Sequence, residues 1–110
     1  MCSIPCGTVQ ESGHDAPVRR TINLGSTAGF FKFAYDTHTI RDRIYLRSQG
    51  TVLLDTGCVG KSDAQCFWHS GTPATVEVEV VPNCDGTTGT DWDYSITCPI
   101  FSSQLACIVG

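Results

Sequence analysis

The segment Thr75-Val-Glu-Val-Glu-Val-Val81 constrains the fold more than any other part of this chain. Val76, Val78 and Val80 alternate with Glu77 and Glu79, a period of two that suits only a strand with one face in a core and the other in water. Pro82 ends the run, because proline cannot donate to a ladder. Phe30 to Tyr35 repeats the pattern, with Phe31, Phe33 and Tyr35 set against Lys32 and Ala34. Asp42 to Arg47 does so again, with Ile44 and Leu46 inward and the arginines outward. Each run leads into a turn rich in Asp, Asn, Gly and Thr, residues that cap local backbone groups and tolerate tight turns.

The remaining elements follow from the same signals. Arg20-Thr-Ile-Asn-Leu24 is expected as the first strand, closed by Gly25-Ser-Thr-Ala-Gly29. Ser48-Gln-Gly50 is a hairpin turn, from which Thr51 to Leu54 returns as a strand stopped by Asp55-Thr-Gly57. Residues 57–71 are expected as a loop, and Trp92 to Thr97 as a further strand. Residues 1–20 show little periodicity and are expected as an irregular arm. The apolar tail, residues 99–110, is expected to hold a last strand. At 110 residues the chain has room for one domain with one core. Eleven glycines, five prolines and no helical period predict an all-β, antiparallel β-sandwich or jelly roll.

A net charge of −4 excludes nucleic acid as the main partner, since phosphate binding needs clustered Lys and Arg. No stretch is long and apolar enough to be a membrane-spanning helix. Seven cysteines are many for so short a chain and point to disulfides in an oxidising compartment. The disulfide candidates are Cys2, Cys6, Cys58, Cys66, Cys84 and Cys98, and the odd count leaves at least one cysteine free or bonded to another chain. Zinc binding by Cys2, Cys6 and His14, or by Cys58, Cys66 and His69, is the lesser alternative, because neither set has the paired spacing of a zinc ribbon. Met1-Cys-Ser-Ile-Pro-Cys6 has no basic start and no apolar run, so no secretory signal is expected there. An extracellular or virion-associated location accommodates both observations.

Carboxylates and amides gathered at strand ends are what calcium needs, because the ion takes six to eight oxygens. Asp36, Asp42, Asn83, Asp85 and Asp91 are the expected ligands, joined by Asp55 only if its strand ends on the same side. The order of pieces, with the hairpin Asp42-Arg-Ile-Tyr-Leu-Arg-Ser-Gln-Gly50 and the strand, acidic loop and aromatic strand Val76 to Tyr94, resembles the CUB domain, a disulfide-linked extracellular jelly roll. That resemblance implies a calcium site at Asp36, Asp42, and Asn83 or Asp85. Gln49 stands where the CUB hairpin has a second Asp, and the CUB spacing of paired cysteines is not reproduced. Tyr-Asp-Thr, Asp-Arg, Asp-Thr-Gly-Cys-Val-Gly, Pro-Asn-Cys and Thr-x-Trp-x-Tyr, in that order, are also similar to small bacterial and phage-associated modules.

Two other functions have a sequence basis. Leu53-Leu-Asp-Thr-Gly57 resembles the active-site motif of aspartic proteases, whose short viral members dimerise so that two aspartates share a proton. That resemblance implies Asp55 as the catalytic residue. Cys58, however, replaces the usual small residue, and the chain stops at Ile108-Val-Gly110, where a helix would be required. Trp68 is the aromatic expected to be exposed, a platform on which a sugar ring would stack, whereas Trp92 is expected in the core. Trp68 and Tyr45 are the expected ligand contacts. The sequence therefore predicts a non-enzymatic, calcium-binding adhesion or structural module that assembles with itself or with a protein partner. An edge strand at Arg20–Leu24 or the apolar tail would mediate that assembly. Carbohydrate binding and a dimeric aspartic protease are the alternatives.

Overall fold

The computed structural model describes residues 9–26 and 28–97. Eight strands are present: β1 Val9–Gly13, β2 Val18–Asn23, β3 Gly29–Asp36, β4 Arg43–Ser48, β5 Thr51–Asp55, β6 Ser62–His69, β7 Thr75–Val81 and β8 Trp92–Ile96. They form two antiparallel sheets, ordered β1-β8-β3-β6 and β2-β7-β4-β5, with no helix among the described residues. The expected all-β, disulfide-stabilised sandwich is the fold.

The alternation read from the sequence sets the core. One sheet contributes Phe31, Phe33, Tyr35, Trp92, Tyr94 and Ile96; the other contributes Ile22, Ile44, Leu46, Val76, Val78 and Val80, each at most 7% exposed. An aromatic layer thus packs on an aliphatic one. Burying each large side chain contributes about 1.5–3 kcal/mol before conformational entropy is offset. Gly13 lies where β1 crosses the Trp92 ring, and a Cβ there would overlap the indole. Only glycine lets the edge strand approach the largest buried side chain so closely.

Two strands lie outside the expected set. Residues 57–71 contain β6, and the arm expected at residues 1–20 contains β1, so Arg20 belongs to the second strand and not the first. Both are edge strands. Their core-side positions carry Glu11 in β1 and Asp63 and Gln65 in β6, opposite Tyr94, Tyr35 and Phe33. Polar residues at those positions erase the apolar alternation by which a half-buried strand is recognised. The last strand expected within residues 99–110 lies outside the described residues.

The edge strands β1 and β2 of the two sheets are joined by charge. Arg20 Nε donates to Glu11 Oε2 at 2.8 Å, and the buried Tyr94 hydroxyl donates to Glu11 Oε1. The Tyr94 hydroxyl is thereby pushed well above the usual phenol range, by burial first and by the Glu11 carboxylate second.

Candidate functional site

The turns after β1, β3, β5 and β7 meet at one end of the sandwich, because the antiparallel ladders place Gly13 beside Trp92, Asp36 beside Asp93, and Arg43 beside Val81. The disulfide Cys58–Cys84 fastens this end across a sequence separation of 26. Cys66 is likewise disulfide-bonded, so no cysteine among the described residues is free. This corrects the zinc alternative at Cys58, Cys66 and His69: both thiols are consumed, and His69 Nε2 is 2.7 Å from the Gly25 carbonyl. Cys2, Cys6 and Cys98 lie outside the described residues, and with them the zinc alternative involving His14.

Of the expected calcium ligands, Asp42 and Asn83 are brought together, but by hydrogen bonds to each other and to neighbours. Asp42 is fully buried; Oδ1 accepts from the Asn83 backbone N–H at 3.0 Å, and Oδ2 from the Thr90 hydroxyl at 2.6 Å. Asn83 Nδ2 donates to Asp15 Oδ1 and to the Thr87 carbonyl. Asp15 also accepts from the backbone N–H groups of Gly89 and Thr90, each at 3.0 Å. These bonds, the one from Asn83 foremost, hold the Asp15 carboxyl below its ordinary range. No buried side-chain polar atom among the described residues lacks a partner. Asp15, like His38 and Asp93 below, is a residue that sequence reasoning missed. It lies far from residues 83–90 in sequence, and no local pattern marks it.

Asp85 caps its own turn by accepting from the Thr87 N–H at 2.9 Å, and this bond lowers its pKa. Asp91 is exposed and meets the exposed His14 ring. Asp55 does end its strand on the same side, but its carboxylate lies in the fork of Arg43. Nε donates to Oδ1 at 2.8 Å and Nη2 to Oδ2 at 2.6 Å, with the Gly57 N–H also on Oδ1. The Arg43 guanidinium is the main cause that takes the Asp55 carboxyl down to about 2.

Asp36 lies elsewhere at this end, and two residues join it. It is paired across the β3–β8 ladder with Asp93, and like charges directly opposite destabilise a sheet. His38, held at φ 57° by a turn in which its N–H bonds Asp36 Oδ1 at 2.8 Å, folds back over both. Its Nε2 is 3.1 Å from Asp93 Oδ2 and its Nδ1 is 3.6 Å from Asp36 Oδ1. One ligand atom from each of the three side chains falls within 4.8 Å of the others, the one such trio of His, Cys, Asp and Glu among the described residues. The trio is open to solvent. Asp36 and Asp93 also border a shallow groove of about 390 Å³ on the outer face of the aromatic sheet, floored by Ala34, Ala64, Ser62 and Ser95.

The expected ligand contacts do not join this corner. Trp68 is 49% exposed, as expected, but it is on β6 and not in a loop, edge-on to Phe30 at 5.0 Å. Trp68 registers with Phe30, six residues before Asp36 on β3, which is roughly 20 Å at ~3.3 Å per residue. Tyr45 faces outward from the other sheet, its ring flanked by the Arg47 and Arg43 guanidinium groups at 4.5 and 4.9 Å.

Compared with known proteins, the chain matches no family model and no curated protein sequence. No helix among the described residues is long and apolar enough to cross a membrane.

Proposed function

We propose that this protein is a non-enzymatic adhesion or assembly module of an extracellular or virion-type structure, docking through its aromatic sheet with a calcium ion at the Asp36–Asp93 corner. The observation that carries the reading is the pair of aspartates set directly across a ladder at the end of an open groove. Two facing carboxylates repel each other, and a cation between them would relieve that repulsion. Asp36 and Asp93 offer up to four oxygens of the six to eight calcium takes, which leaves positions for water or for oxygens of a docking partner. The ion would then bridge module and partner. A site with so few protein oxygens belongs with extracellular modules, whose dissociation constants are about 10⁻⁴–10⁻³ M. His38 is a nitrogen donor that calcium does not use, and its role is to orient Asp93.

This arrangement moves the calcium reading from five scattered residues to Asp36 with Asp93. The loop end needs no ion for rigidity, since Asp15, Asp42 and the disulfide already fix it. The alternatives have less support. A carbohydrate site built on Trp68 would be separated from the acid corner by the length of β3. An aspartic dyad needs a carboxylate free to share a proton, and both Asp55 oxygens are taken by Arg43.

Calorimetric titration of calcium into wild type and Asp36→Asn tests the proposal. Weak, one-to-one binding that is lost in the variant is the expected result. No heat with wild type at millimolar calcium, or heat unchanged by Asp36→Asn and by Asp93→Asn, refutes it.

A further inference from the structure

A sheet edge offers unpaired N–H and C=O groups, and an inward-pointing charge is one device by which folded proteins keep a second strand off such an edge. Among the described residues the four edges of the two sheets are β1, β6, β2 and β5. Three carry a charged residue at a core-side position: Glu11 on β1, Arg20 on β2 and Asp63 on β6, opposite Tyr94, Val78 and Tyr35. A strand laid against any of these would meet that charge near its own apolar face. On β5 the core-side residues are Leu53 and Leu54, both only partly buried and packed on the core. The outward Val52 is 48% exposed. The one charge on β5, Asp55, is already held by Arg43.

β5 has a bulge, and the bulge decides what fits it. The register runs Leu46 to Leu54 and then Arg47 to Val52, so Leu53 is the extra residue and shares the core side with Leu54. In a regular strand, consecutive residues face opposite ways, so a two-fold axis between them would pair inward with outward side chains. Here the bulge removes that conflict. We propose that β5 pairs antiparallel with β5 of a second copy about a two-fold axis between Leu53 and Leu54. Leu53 then faces Leu54 of the second copy on the core side, and Val52 faces Asp55 of the second copy on the outer side. Leucines left partly exposed in one copy cover each other, and Asp55 does not meet its own image. The two four-stranded sheets become one of eight strands.

A five-residue junction buries less than about 1,200 Å², so the dimer is weak and concentration-dependent. The inference is independent of the calcium corner, which lies on the other sheet.

Sedimentation of the full chain from about 10 µM to about 1 mM, a range that brackets such affinities, tests the pairing. Two charge variants at the exposed Val52 supply the specificity. Val52→Glu is next to Arg47 within its own copy but opposite Asp55 of the second, and its association should weaken at least about tenfold. Val52→Lys meets Asp55 of the second copy and should dimerise at least as well as wild type. Thermal melts of both variants check that they fold. A wild type that stays monomeric throughout overturns the proposal. So does a dimer on which both variants act alike, whether by sparing it or by abolishing it. Should either variant fail to fold, concentration-dependent protection of β5 amides in wild type decides the same question, and its absence overturns the pairing.

Discussion

Replacing Asp42 with alanine is the perturbation that most directly tests how the loop end is held. Its carboxylate is fully buried and accepts from the Asn83 N–H and the Thr90 hydroxyl at 3.0 and 2.6 Å. A hydrogen bond to a charged group contributes about 1.5–3 kcal/mol, and removing the acceptor strands both donors in the interior. Asp42→Ala should therefore cost about 3–5 kcal/mol, which lowers the melting temperature of a domain this size by on the order of 15 °C. Asp42→Asn keeps the volume and one acceptor oxygen. The Thr90 hydroxyl can rotate to accept from the new amide, so this variant should cost only about 1–2 kcal/mol. Urea unfolding followed by the fluorescence of Trp92, buried at 1% exposure, measures both. The measurement should be run with millimolar calcium and with EGTA. If Asp42 acts through protein hydrogen bonds, the loss is the same in both. A loss below about 1 kcal/mol, or one that disappears in EGTA, refutes the reasoning.

Acid unfolding should show the paired carboxylates. Asp55 has its folded pKa lowered from 3.8 to about 2, and the Asp15, Glu79 and Asp85 carboxyls are also lowered. Their stabilisation is present above the unfolded values and is lost as pH falls, for Asp55 between 3.8 and about 2. Denaturant midpoints across that window should drop in wild type and drop less steeply in Asp55→Asn; parallel curves would contradict the Arg43–Asp55 pairing. Replacing both Cys58 and Cys84 with alanine reopens a loop of sequence separation 26, and should cost about 3.5 kcal/mol by chain entropy. Urea midpoints of the double variant check this, and a change under about 1 kcal/mol would show that the neighbouring hydrogen bonds already close the loop.

The strands legible in the sequence were those whose two faces differ. Val76, Val78 and Val80 on β7, and Phe31, Phe33 and Tyr35 on β3, declare a buried side at every second position. β1 and β6 were not legible, because an edge strand defends itself with Glu11 or Asp63 where an interior strand would place an apolar residue. The same physics that hides an edge from pattern reading keeps other chains off it; of the two edges that were read, β2 still carries Arg20 at a core-side position, whereas β5 carries leucines there. The site divides along a similar line. That acids would collect at one end was readable from turn chemistry. Which acids face solvent and which are spent internally was not, because that depends on partners far apart in sequence. Asp42 is consumed by Thr90, 48 residues away, and Asp15 by the backbone of Gly89 and Thr90, more than 70 residues away. Asp36 and Asp93 are different because each is fixed by its place on a strand and not by a donor that neutralises it. Their charges are set opposite each other by the β3–β8 register and, among the described residues, are answered by the exposed His38. The fold thus spends the buried Asp42 and the exposed Asp15 on hydrogen bonds that hold its loop end, and leaves Asp36 and Asp93 facing each other, which is why the proposed cation is assigned to that corner.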